Sequence, residues 1–166
     1  MPGAGGLERV RFFSRQLLSA DDFKQEQDYF REKLRRHNRK LHGWGIVCGA
    51  EVRVETDTTL TVSPGYALDP HGEEIVIEPE CSIDVCDVAD GAAAFLAVRY
   101  VEEPTRPVPA VGGVQGEAEY SRTREGFELE VHSTCPAEPW VVLADIEIRD
   151  GAVVQPVGTA YRRSVG

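Results

Sequence analysis

After Lys40 the 166-residue chain contains no lysine, and it has a single methionine and only 8% aromatic residues. No apolar run approaches the roughly 20 residues needed to cross a bilayer, so no membrane insertion is expected. The opening Met1-Pro2-Gly3-Ala4-Gly5-Gly6 lacks the basic-then-apolar order of a signal peptide, so nothing marks the chain for export and cytoplasmic synthesis is expected. Also missing are a G-x-S-x-G elbow, a P-loop and an H-E-x-x-H helix, so no local motif announces a catalytic centre. The lack of lysine makes the charge lopsided. Residues 46–166 carry eight Lys/Arg against 22 Asp/Glu, a balance of −14, while residues 1–45 carry ten against six, a balance of +4. An acidic body repels phosphate backbones, which argues against general nucleic-acid binding. What is present, 42% hydrophobic and 28% charged residues, is the balance of a folded globular protein. At this length one core can bury roughly 70% of the unfolded surface without a metal or disulfide staple.

The N-terminal third reads as an extended apolar lead-in, residues 11–18, followed by one long helix. Ser19 suits a helix N-cap, with Asp22 completing a shortened capping box. From Ala20 to about Leu41 there is neither Gly nor Pro. Phe23, Phe30, Leu34, His37 and Leu41 trace one helical stripe. Acidic residues crowd the first half and basic residues the second, matching the helix dipole, and Gly43 is a natural stop.

After Trp44 the period changes to two. Short strands separated by turns run to the C-terminus, with Asp69-Pro70-His71-Gly72 expected as a type I turn and Asp150-Gly151 as a tight hairpin. Residues 102–116, with Pro104, Pro107 and Pro109, read as a long exposed loop. The expected fold is α+β: one long N-terminal amphipathic helix, then a mainly antiparallel β-sandwich or partly open barrel of about eight strands. The corresponding division is an attachment arm, residues 1–45, and a β-domain, residues 46–166.

The chemical candidates are weak. Gly43-Trp44-Gly45-Ile46-Val47-Cys48-Gly49 is one residue too long for a dinucleotide fingerprint and runs from helix into strand, the reverse of what phosphate binding needs. The bland reading is a helix stop with small residues where strand and helix cross closely. Cys48, Cys81, Cys86 and Cys135 lack zinc-ligand spacing, so free thiols are expected, with a distant zinc site involving His71 or His132 as the alternative. On an α-helix His37 and His42 lie about 140° apart and cannot share a face, so His37 reads as a hydrogen-bonded core histidine. No catalytic residue, cofactor or metal site is assigned.

Three stretches carry a resemblance. They are Phe12-Phe13-Ser14-Arg15-Gln16-Leu17-Leu18-Ser19-Ala20-Asp21-Asp22-Phe23, Arg36 to Gly49 through His42-Gly43-Trp44-Gly45-Ile46-Val47-Cys48-Gly49, and Ser63-Pro64-Gly65-Tyr66-Ala67-Leu68-Asp69-Pro70-His71-Gly72-Glu73-Glu74-Ile75. With these the chain resembles an uncharacterised bacterial family found with phage-tail-like particles and contractile injection systems, and it is similar to N-terminal parts of phage tail-fibre and baseplate proteins. Arg15 stands where that family usually has glycine, which bears on the turn of the lead-in, and Ala50 stands where it usually has leucine.

The resemblance implies a structural, non-enzymatic part, baseplate-associated or fibre-attaching, whose partners are other subunits of a tail-like particle. It also implies a homo-oligomer, a trimer if tail-fibre habits apply. A helix this long beside one small β-domain either packs its stripe across its own sheet or offers it to another copy or subunit. The residues expected at an assembly interface are Phe12, Phe13, Phe23, Phe30, Leu34, Leu41 and Trp44. The alternative is a β-sandwich binding module for a carbohydrate or cell-surface ligand, using Tyr120 or Trp140 and the 102–116 loop. A small hydrolase on the β-domain is a third reading.

Overall fold

A computed structural model describes residues 6–109, 118–155 and 157–165. Helix α1 spans Ala20–His37 and runs into a π-helical turn, Asn38–His42. Ser19 caps it as expected: its hydroxyl accepts from the Asp22 N–H at 3.3 Å, and the Asp22 carboxylate accepts from the Ser19 N–H at 2.8 Å. The Ser19 N–H and hydroxyl, both donating to the Asp22 carboxylate at 2.8 Å, hold its carboxyl below its usual range.

Ten strands follow among the described residues: β1 Gly45–Gly49, β2 Val52–Thr56, β3 Thr59–Val62, β4 Gly65–Leu68, β5 Glu74–Ile77, β6 Cys81–Asp84, β7 Ala93–Pro109, β8 Ala118–His132, β9 Val141–Arg149 and β10 Ala152–Val153. They form three antiparallel sheets, in the orders β1-β4-β5, β2-β3-β6 and β10-β9-β7-β8. The inward residues of all three meet in one core, with Leu60, Ile75, Ile77, Leu96, Val98 and Leu143 among those fully buried. The α+β class and the antiparallel pattern agree with the sequence reading.

The C-terminal segment closes the side of β1. The Ile46 N–H donates to the Arg163 carbonyl at 2.7 Å, and the Val165 N–H donates to the Ile46 carbonyl at 2.9 Å. Arg162 clamps the β1–β2 corner, its guanidinium donating to the Gly49 and Ala50 carbonyls, each at 2.7 Å. At that corner a Cβ on Gly49 would lie 2.1 Å from the Pro64 carbonyl oxygen. The small residue therefore serves a strand-to-strand approach and not the helix crossing expected from the sequence.

Two further expectations are corrected. The segment 102–116 is not a loop throughout, because β7 continues to Pro109 against β8; residues 110–117 lie outside the described part. Prolines are tolerated there because β9 pairs with β7 only over residues 93–98, leaving the rest of β7 with one unpaired edge. The helix, in turn, is not α-helical to Leu41. It widens at Asn38, where the Gly43 N–H reaches back five residues to the Asn38 carbonyl at 3.0 Å.

All four cysteines are free; Cys48, Cys86 and Cys135 are exposed and Cys81 is half-buried. Burial and the neighbouring Glu80 push the Cys81 thiol up, and Asp84 and Asp87 do the same to Cys86. Thiolate fraction sets reactivity. We expect a thiol reagent to modify Cys48 and Cys135 first, Cys86 next and Cys81 last, with four groups titrating after denaturation. Fewer than four, under non-reducing conditions, would contradict free thiols.

Candidate assembly surface

The helix meets the β-domain through its polar side. Arg31 pairs with Glu102 of β7, Arg35 with Glu73 at the head of β5, and the Arg39 guanidinium reaches the His71 carbonyl. Between them Asn38, 4% exposed, donates from its side-chain amide to the Gly72 carbonyl at 2.9 Å. The three arginines are spaced four apart, so they share one helical face.

The surface that receives Arg35, Asn38 and Arg39 is the β4–β5 turn. The Gly72 N–H donates to the Asp69 carbonyl at 2.9 Å, and the Asp69 carboxylate accepts from the His71 and Glu73 N–H groups, each at 2.8 Å. Burial pushes the Asp69 carboxyl up, and those two backbone donors pull it back. Gly72 sits at φ 87°, and a Cβ there would lie 2.4 Å from the Arg35 carbonyl oxygen. The turn is thus shaped to let the helix backbone rest directly on it.

Arg31 and Arg35 each follow an apolar residue, Phe30 and Leu34, by one position. One position is about 100° of rotation, so docking the arginines leaves the apolar stripe largely uncovered, with Phe30 at the rim of the groove between α1 and β7–β8. Phe23 is 58% exposed, Phe30 55%, Leu34 47% and Leu41 69%, and no residue of α1 is fully buried. Phe12 and Phe13 in the lead-in are exposed as well, as are Leu17 and Leu18. The lead-in turns at Arg15, which has φ 68° in the left-handed region that favours glycine. Of the seven residues expected at an interface, only Trp44 is taken up by the chain itself. It packs against the core, and the Arg163 guanidinium lies over its ring at 4.3 Å.

Magnitudes show how lightly the arm is held. The exposed Arg31–Glu102 pair contributes about 0–1 kcal/mol, the half-buried Arg35–Glu73 pair and the Arg39 hydrogen bond somewhat more, and the buried Asn38 hydrogen bond about 1 kcal/mol. An isolated helix of this length is marginal in water, so these contacts and the cap carry it in the free chain. Covering the exposed half of a Phe or Leu side chain adds about 1 kcal/mol. Six such residues together add about 6 kcal/mol, comparable to the contacts that now hold the helix.

The other candidates find structural occupations. Trp140 is flanked by the Arg99 guanidinium at 4.8 Å and by the His132 ring at 4.6 Å, so it is no open sugar platform. Tyr120 is exposed and lines an open groove of about 780 Å³ between α1 and the β7–β8 hairpin. Among the described residues no group of three or more His, Cys, Asp or Glu side chains is arranged around a common point. Likewise, no described helix is long and apolar enough to cross a membrane. Sequence reasoning missed Asn38, Gly72 and Arg162, whose roles depend on partners 34 to 113 positions away.

No protein-family model and no curated protein matches the sequence. Solved structures do match in fold. Over 90% of this chain and 57% of the other, it is similar to a chain of the baseplate complex from the type VI secretion system, with 15% identity and a TM-score of 0.54. Over 93% of this chain and 41% of the other, it is similar to TssK, with 13% identity and a TM-score of 0.55. A chain of the type VI secretion TssK–TssF–TssG baseplate subcomplex aligns with 90% of this chain and 59% of its own length, at 16% identity and a TM-score of 0.55. The chain spans about half the length of these proteins, and the likeness is one of fold.

Proposed function

We propose that the protein is a structural, non-enzymatic component of a contractile injection system, incorporated in or beside the baseplate. The observation that carries this reading is the helix docked by its arginines with its apolar stripe facing out. Similarity in fold to chains solved as parts of type VI secretion baseplates supports it. In this reading residues 1–45 are the attachment arm and residues 46–166 the β-domain. Phe12, Phe13, Phe23, Phe30, Leu34 and Leu41 form the contact with other baseplate subunits or with further copies of this chain, as a trimer by analogy with tail fibres. The β-domain then holds a fibre-like or accessory element.

Deleting the arm tests this division. Because Trp44 and β1 belong to the packed sheets, the fragment to use is 43–166. It is expected to keep its β circular-dichroism signal and a cooperative unfolding transition while failing to enter purified particles. Normal incorporation of the fragment would refute the attachment role. Loss of the sheet would show that the arm belongs to the core.

A further inference from the structure

The π-turn that ends α1 creates a side-chain pair that α-helical geometry forbids. Because the Gly43 N–H bonds five residues back, positions five apart approach one face across the widened turn. His37 and His42 occupy such positions. Their Nε2 atoms stand 3.1 Å apart, and the ring centroids are 5.0 Å apart. Both rings are exposed, and no carboxylate is hydrogen-bonded to either among the described residues.

We propose that His37 and His42 form a bidentate bis-imidazole site for a borderline divalent cation such as Ni²⁺, Cu²⁺ or Zn²⁺. Metal–imidazole bonds of about 2.0–2.1 Å at angles between 90° and tetrahedral place the two nitrogens about 2.9–3.4 Å apart, and the observed separation falls inside that range. Both rings bind through Nε2, which requires each to carry its proton on Nδ1 and to release any proton shared between them. The last carbonyls of the helix point the negative end of its dipole toward the site, which favours a cation there. Two ligands leave the remaining coordination positions to water, or to a donor from whatever covers the adjoining stripe at Leu34 and Leu41. Imidazole pairs suit these metals, whereas Mg²⁺ and Ca²⁺ take oxygen ligands. The bound ion staples His37 to His42 and so fixes the junction between the arm and β1.

The full-length protein, with its reactive thiols capped by iodoacetamide and its fold verified by circular dichroism, is titrated with Ni²⁺ alone. Histidine-ring ¹H–¹⁵N spectra are followed by NMR. The rings of His37 and His42 are expected to broaden together and saturate at one equivalent, ahead of His71 and His132. Under Zn²⁺ both should shift to the Nδ1–H tautomer. Substituting either ligand, His37→Ala or His42→Ala, is expected to weaken the apparent affinity at least tenfold, because the second imidazole then no longer acts at high effective concentration. Both positions are exposed, so the variants are expected to fold. The proposal is overturned if the four histidines broaden alike, or if either single variant keeps the parental affinity; the pair would then only share a proton.

Discussion

Gly72→Ala is expected to lower stability by about 2–4 kcal/mol and to release the helix from the β4–β5 turn. Two costs add. A non-glycine residue held at positive φ costs of order 1–2 kcal/mol. The new methyl would also sit 2.4 Å from the Arg35 carbonyl oxygen, 3.0 Å from the carbonyl carbon and 3.0 Å from the Arg35 Cα. These are backbone atoms of a capped helix, so neither side can yield by a side-chain rotation, and overpacking of this kind typically costs about 1–3 kcal/mol. The helix moves, because it is held by a few polar contacts while the turn is fixed by the Asp69 bonds and by the pairing of Leu68 with Glu74. Urea unfolding measures the total. Amide hydrogen exchange separates its parts: protection should fall along residues 20–42 and persist in β4 and β9. Unchanged exchange in the helix would mean that its seat on the turn is unimportant.

Much of this architecture was legible in the sequence because it depends on near neighbours. The Ser19–Asp22 box, the absence of Gly and Pro from Ala20 to Leu41, and the alternating strands all follow from contacts a few residues apart. The Asp69–Gly72 and Asp150–Gly151 turns are equally local, and the latter has positive φ at both positions, as a two-residue hairpin requires. The failures share a cause as well. His37 and His42 were separated by assuming 3.6 residues per turn, and nothing local signals that Asn38 will bond to Gly72 and widen the helix there. Residues 102–109 looked like a loop because proline breaks a ladder, yet only one edge of that stretch is paired. The assembly stripe was visible as a period, but which side of the helix would face the β-domain was not. Glu73 and Glu102, far along the chain, pair with the arginines and leave most of the apolar stripe uncovered.

The outward stripe is the central claim, and Leu34→Asp in the full-length chain probes it most sharply. Leu34 is 47% exposed, so in the free protein the substitution forfeits the burial of about half a side chain, about 1 kcal/mol. It adds a poorer helix former worth roughly 0.5 kcal/mol, partly offset by the new carboxylate lying three residues from Arg31. The free chain should therefore lose no more than about 1.5 kcal/mol of stability relative to the parent. In an assembled interface the same carboxylate would be stripped of water beside Phe30 and Leu41, at a cost of several kcal/mol. About 2.7 kcal/mol already corresponds to a hundredfold loss of affinity. The decisive measurement pairs urea unfolding of the free Leu34→Asp protein with its incorporation into purified particles. A stability loss of no more than about 1.5 kcal/mol in the free chain together with at least a hundredfold weaker incorporation is the predicted result. A large loss of stability in the free chain, or normal incorporation, would contradict it.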